Sequence, residues 1–307
     1  MESPCGVVAI NKQKGVTSHY IVNKLRLLYG TRQIGHTGTL DPMAEGVMAV
    51  LVGRAVKFAE YVIAEDKEYT AELRLGVRSD TGDNTGTVVE TGAAIPDETA
   101  VEAALAGFRG EIVQIPPMYS ALKVNGKKLV DLARRGITVE REGRPVTIYR
   151  LVCEKLGERD YRLDAAVSKG TYIRVLCTDL GERLGCGAVM TALTRTRSGC
   201  FSLSDAVTLE ELGTMSMEER CARLRPVAGL FETLPRVPLP PFYARLAHSG
   251  CEIYCRKIRP VLPEGLDMGD LAALYDADGF FALARLADYP DGPALKPVKQ
   301  LYDENLR

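Results

Sequence analysis

The densest run of reactive residue types in this 307-residue chain is Gly35-His36-Thr37-Gly38-Thr39-Leu40-Asp41-Pro42, with Glu45 and Gly46 close behind. The proline holds Asp41 away from the helical region, and glycines at 35, 38 and 46 let backbone approach a ligand closely. A carboxylate presented in this way can attack carbon, take a proton, or simply accept backbone N–H bonds. On local chemistry alone the last is the commonest outcome, because Asp-Pro turns are frequent structural features. Familiar alternatives are missing: no G-x-x-x-x-G-K-[ST], no G-x-G-x-x-G after a strand, no H-E-x-x-H and no G-x-S-x-G. The cluster Asp80-Thr81-Gly82-Asp83-Asn84-Thr85-Gly86 lacks the distal glutamate that a calcium loop needs. Cys251 and Cys255 are four apart with no second pair nearby, and the only histidines are His19, His36 and His248, so no zinc site is expected. The eight cysteines read as reduced, mostly buried thiols.

The elements that must hold Asp41 can be read from periodicity. Residues 5–10 and 47–52 are short apolar runs, expected as buried strands. Between them Ser18 is expected to cap a helix whose apolar face is Ile21, Val22, Leu25, Leu28 and Tyr29, ending at Gly30. Residues 69–75 alternate, with Tyr69, Ala71, Leu73 and Leu75 on one face and Thr70, Glu72 and Arg74 on the other, a half-buried strand. Val101, Ala104, Leu105 and Phe108 mark a further helix, residues 161–167 a strand, and residues 171–184 the next helix. Residues 116–145 change character, gathering Lys123, Lys127, Lys128, Arg134, Arg135, Arg141 and Arg144 into a basic excursion. The proline-rich stretch at 234–241 reads as a linker. Beyond it residues 253–258, 271–275 and 280–286 read as strands of a small β-rich module.

Composition sets outer bounds. Hydrophobic residues at 46% and charged residues at 26% are ordinary for a globular protein. No apolar run is long enough to span a membrane, and the first residues lack the pattern of a secretory signal, so a cytoplasmic location is expected. With 39 Lys plus Arg against 40 Asp plus Glu, the net charge of −1 argues against coating nucleic acid by bulk charge. A local basic groove remains open.

The Gly35-to-Pro42 octapeptide, followed by Glu45-Gly46-Val47, resembles the signature of the TruB family, the tRNA uridine-55 pseudouridine synthases. The resemblance continues in order through Ala9-Ile10-Asn11-Lys12, Gly15-Val16-Thr17-Ser18, Lys67-Glu68-Tyr69, residues 76–86, Phe108-Arg109-Gly110, Gln114-Ile115-Pro116-Pro117-Met118-Tyr119-Ser120-Ala121 with Lys123, and Lys169-Gly170-Thr171-Tyr172-Ile173-Arg174. Accidental motif matches do not keep such an order. Departures exist: Ser79 stands for the usual threonine, and Asp131 for a common aromatic residue.

The resemblance implies an isomerase, an intramolecular transferase that breaks a uridine N1–C1′ bond, turns the base and joins C5 to C1′, with no cofactor and no metal. Its fold is expected to be α/β (α+β): a mixed, largely antiparallel pseudouridine synthase sheet with flanking helices, an RNA-clamping insertion and a C-terminal PUA-like domain. Residues 1–236 would form the catalytic domain, with the insertion at 117–145, and residues 237–307 the RNA-binding module. Asp41 would be the catalytic carboxylate and Arg174 its paired arginine. Tyr69 would stack on the flipped uracil, His36 would steady the gap left in the RNA stack, and Tyr172 and Leu193 would line the base pocket. Each also has a plainer reading: Tyr69 and Leu193 fit a core face, His36 a turn, Arg174 a surface. Lys123, Lys127, Lys128, Arg134 and Arg135 would grip the RNA backbone, or else form a solvated face. The partner implied is the T-arm stem-loop of tRNA, with no membrane and no obligatory protein partner. Two rival functions are a guide-RNA-dependent catalytic subunit and a tRNA-folding chaperone.

Overall fold

In the computed structural model, which describes residues 3–63, 66–124 and 126–301, the two apolar runs become neighbouring strands of a nine-stranded sheet. Its main strands are β1 (Gly6–Lys12), β2 (Ile34–His36), β3 (Glu45–Val52), β4 (Lys67–Leu75), β5 (Gly110–Gln114), β6 (Arg144–Lys155), β7 (Asp160–Val167) and β8 (Ala188–Ser198). The order is β1-β3-β8-β4-β7-β6-β5, with β2 added on β3. Every neighbouring pair is antiparallel except β3 and β8, which meet in parallel at Thr194↔Glu45 and Arg195↔Gly46. That parallel seam lies beside the end of the Asp41 loop.

The two halves of the sheet bury their faces differently. β1 and β3 are covered on both sides, which is why they read as continuous apolar runs. Val8, Ile10, Met48 and Val50 face Ile21, Val22 and Leu25 of helix α1 (Ser18–Leu28). Val7, Ala9, Val47, Ala49 and Leu51 face Phe58, Phe231 and Phe280. In β4 only one face is covered: Ala71, Leu73 and Leu75 meet helices α2 (Glu98–Ala106) and α3 (Ile173–Arg183), while Glu72 and Arg74 are exposed.

Several expectations need correction. The cap of α1 is Thr17, whose side chain accepts from Tyr20 N–H. Ser18 is buried, and its hydroxyl turns inward onto the backbone of Leu40 instead. Only Cys177, Cys186 and Cys255 are fully buried; Cys200 and Cys251 are exposed. The stretch at 234–241 is structured rather than a linker: Arg236–Pro238 forms β9, and Pro241 opens α4 (Pro241–His248) at a position that tolerates a missing N–H.

With β10 (Ile253–Tyr254), β11 (Leu271–Asp276), β12 (Gly279–Ala287) and β13 (Ala294–Gln300), β9 makes a five-stranded sheet of order β9-β11-β12-β13-β10. The strand expected at 253–258 stops at Tyr254 and turns into a 3-10 segment, Cys255–Lys257. Strand β13 was hidden by Pro297, which sits at a register shift where a ladder bond can be spared. This sheet rests on the first through Phe58, Phe231 and Phe280, whose ring centroids lie 5.6–5.8 Å apart.

The basic excursion leaves the main sheet at β5 and returns at β6, where Gln114 pairs with Arg144. It carries a two-stranded ribbon, Lys123–Val124 with Lys127–Lys128, and a short helix, Leu129–Ala133.

Candidate active site

Asp41 occupies the connection between β2 and β3, and that connection is held by its backbone. Asp41 C=O accepts from Ala44 N–H at 3.1 Å, closing a turn with Pro42 at its second position. Ser18 Oγ donates to Leu40 C=O at 3.0 Å and accepts from Leu40 N–H at 2.9 Å. Gly15 N–H donates to Pro42 C=O at 2.7 Å. Lys12, fully buried, points its ammonium at the carbonyls of Gln13, Pro42 and Ala44. Arg195, buried to 2%, donates from Nε to Val47 C=O at 2.6 Å and from Nη2 to Gly38 C=O at 3.2 Å. Gly46 has φ +101°, and a side chain there would strike the Arg195 carbonyl. Leu40, Met43 and Ala44 anchor the same loop in the core between the sheet and α2/α3.

The loop presents Asp41 to Arg174, the second residue of α3. Arg174 Nη2 donates to Asp41 Oδ2 at 2.8 Å and to Tyr119 C=O at 3.1 Å. Its Nη1 donates to Thr81 C=O at 2.9 Å and lies 3.3 Å from Asp83 Oδ2. The Arg174 and Asp83 side chains are 7% and 4% exposed, whereas Asp41 keeps 36%. One carboxylate of the pair is therefore structural, sealed by Thr81 and Thr85, and the other is accessible. Burial raises the Asp41 carboxyl above its ordinary 3.8; Arg174 pulls it back, Asp83 pushes it up and Lys12 pulls it down. Burial also brings the Lys12 ammonium down to about 8, against the pull of Asp41.

Of the residues expected to line a base pocket, Tyr172 is the one whose phenol registers the charges of Asp41 and Arg174; Tyr69 and Leu193 belong to the core that holds Leu40, and His36 lies at the end of β2. Tyr172 is the N-cap of α3, and its phenol is raised by burial, with the Asp41 charge acting in the same direction. Tyr69 is partly buried against the core that contains Leu40 and Leu193. Leu193 pairs with Ala71, so Tyr69 and Leu193 share one face of adjacent strands. Leu193 is 8% exposed, so its plainer role as core is met as well. His36 ends β2, and its Nδ1 accepts from Gly38 N–H at 3.3 Å, which leaves Nε2 to carry the proton of the neutral ring. Burial and the nearby Arg195 hold that imidazole below its ordinary 6.5. The five basic residues are all exposed: Lys123, Lys127 and Lys128 on the ribbon, Arg134 and Arg135 just past the short helix. None makes a hydrogen bond to the Asp41–Arg174 pair; the contact from the insertion comes through Tyr119 C=O.

Arg195 was missed altogether, and Lys12, Ser18, Asp83 and Gln114 were noted only within motifs, not as site residues. Three of these carried a visible signal. Lys12 is a charge at the end of an apolar strand, and Arg195 and Gln114 sit at positions where alternation demands an inward side chain.

A family model described as TruB family pseudouridylate synthase (N terminal domain) matches residues 26–173. A second, tRNA pseudouridylate synthase B C-terminal domain, matches residues 174–231. The fold agrees: a chain in the crystal structure of a Cbf5-Nop10-Gar1 complex is similar with a TM-score of 0.73 at 25% identity, covering 98% of this chain and 86% of that one. The class is thus that of the pseudouridine synthases, which are isomerases. The chain is also 39% identical to tRNA pseudouridine synthase B of Francisella tularensis subsp. tularensis over 303 residues, 98% of this chain and 96% of that protein. It is 45% identical to tRNA pseudouridine synthase B of Burkholderia mallei over 275 residues, 89% of this chain and 90% of that protein. The chain belongs to the TruB family.

Proposed function

We propose that this protein isomerises uridine-55 in the T loop of tRNA to pseudouridine, with Asp41 as the essential carboxylate acting on a flipped-out base. The observation that carries the reading is the Asp41–Arg174 pair, in which a guanidinium sealed on its far side by Asp83 aims an accessible carboxylate. An ionised, oriented carboxylate is what attack at carbon or removal of a sugar proton requires. Tyr69 and Tyr172 offer flat partners for an extruded uracil, which must leave its stack before its glycosidic bond can be reached. The relatives' printed name supports tRNA as substrate. The exposed cations between residues 123 and 135 supply phosphate contacts that a protein of net charge −1 must concentrate locally. Neither a cofactor nor a metal enters, because the isomerisation moves a bond without redox change.

The β-rich module beginning near residue 236 assists affinity rather than chemistry, and the catalytic domain precedes it. A stand-alone enzyme must recognise folded RNA itself, through loop shape, backbone and splayed bases. Purified protein is therefore expected to release tritium from a C5-labelled T-arm stem-loop with nothing else added. Turnover that appears only with a guide RNA or partner proteins would reject this in favour of a guided subunit.

A further inference from the structure

Gln114 is the last residue of edge strand β5 and its only fully buried one, 2% exposed. Its carboxamide is bonded to backbone rather than to another side chain. Oε1 accepts from Tyr172 N–H at 3.0 Å, and Nε2 donates to Tyr172 C=O at 3.3 Å. The side chain therefore satisfies both backbone groups of one residue, as a neighbouring strand would. Exchanging the amide's N and O would set donor against donor and acceptor against acceptor, so the bonding pattern fixes its orientation. Tyr172 is the N-cap of α3 and has no side-chain cap of its own. Two residues on, Arg174 grips Asp41.

Gln114 also stands at the neck of the basic insertion, paired with Arg144 where the chain returns. A second contact from that neck reaches the site: Tyr119 C=O accepts from Arg174 Nη2, the same nitrogen that holds Asp41. Neck and helix start are thus joined twice, once through the Gln114 amide and once through the arginine.

We infer that Gln114 is a positioning residue, which transmits the placement of the insertion to Tyr172 and to the Asp41–Arg174 pair. RNA seated on the insertion is then registered at the carboxylate without any direct contact from the insertion's cations. The inference rests on the pseudouridine reading above. Small errors in aim are costly in such a site, since a misplacement of about 1 Å can cost about a hundredfold in rate.

The test is single-turnover pseudouridine formation and tRNA binding, measured for wild type, Gln114→Leu and Gln114→Glu. Gln114→Leu removes both bonds; its rate should fall about 10- to 100-fold, with tRNA affinity within about threefold. Gln114→Glu tests the geometry independently of folding. An ionised carboxylate accepts from Tyr172 N–H but cannot donate to Tyr172 C=O, whereas the protonated acid can. The ratio of its rate to that of wild type should therefore rise as pH falls from about 8 to about 5.5, a range that burial makes accessible to a carboxyl. The charged groups facing Tyr172, namely Asp41, Arg174 and Arg144, are present in both proteins, so their own titration enters both rates. A Leu variant within twofold of wild type, or a Glu-to-wild-type ratio flat across pH, overturns the inference. Wild type that forms no pseudouridine at all counts against the proposed function, and is read from the same assay.

Discussion

Replacing Lys12 by methionine should remove a pH-dependent cost that the wild-type fold carries beneath its Asp41 loop. The Lys12 ammonium is fully buried, and burial lowers it from its ordinary 10.5 to about 8. At about 1.4 kcal/mol per unit of pH, that difference corresponds to about 3 kcal/mol. The sign follows from proton counting. Between about pH 8 and 10.5 the unfolded chain holds the lysine proton and the folded one has released it, so stability from this group rises with pH across that window. Below about 8 both states are protonated and the cost is present in full. Lys12→Met keeps the stem's packing, loses the bonds to Pro42 and Ala44, and has nothing to titrate. Urea unfolding of both proteins at a series of pH values isolates the effect, because other titrating groups cancel in the difference. Relative to Lys12→Met, wild type should gain up to about 3 kcal/mol between pH 8 and 10.5. A difference that stays level, or one that moves the other way, would refute the buried-ammonium account.

Asp41→Asn should abolish pseudouridine formation while tRNA binding stays within a few-fold, since the amide still accepts from Arg174; near-wild-type turnover would end the proposed mechanism. Arg174→Lys should cut the chemical step severely, because an ammonium cannot serve Asp41, Asp83, Thr81 and Tyr119 from one planar fork. Tyr69→Leu should likewise depress single-turnover rate rather than affinity; a change in affinity alone would reassign either residue. Neutralising Lys127, Lys128, Arg134 and Arg135 together should weaken tRNA binding and flatten its salt dependence by about 0.7 to 0.9 in log–log slope per lost phosphate contact. An unchanged slope would mean that they face only water.

The legible part of the fold was the part written in simple periods. The alternation of Ala71, Leu73 and Leu75 against Glu72 and Arg74 appears as one buried and one exposed face. The run from Val47 to Val52 appears as a strand covered on both sides. What periodicity could not show was long-range assignment. Thr17 and Ser18 are both good caps, and only the arrival of Leu40, 22 residues later, makes Ser18 a loop anchor. Leu234 to Pro241 has the composition of a linker, yet Val237 is fully buried in the second sheet and Pro241 begins a helix. Within the site, residue types alone favoured a structural turn at Asp41, and it was the ordered motifs that singled out Asp41, Arg174 and Tyr172. Asp83 looked like one more turn residue until α3 brought Arg174 to it.

The arrangement around Asp41 follows from a conflict that any accessible but half-buried carboxylate faces. Burial favours its neutral form, and a flipped base would bury it further. A single arginine offsets this, but an arginine paired with only one exposed carboxylate has several donors left over and is free to turn. Here the Nη donors not used by Asp41 are spent on Thr81, Tyr119 and the sealed Asp83, while Nε stays buried without a partner, so the guanidinium is held in one orientation toward Asp41 by its two Nη groups. The acceptor on the other side is fixed by different means: the loop's carbonyls are taken by Lys12, Ser18 and Arg195, which come from β1, α1 and β8. Asp83 contributes orientation at an electrostatic cost, because its charge raises the Asp41 carboxyl. Asp83→Asn should accordingly move the acid limb of the rate profile to lower pH while lowering its plateau. A limb that moves upward would mean that Asp83 stabilises the ionised form of Asp41 through Arg174 more than it opposes it directly.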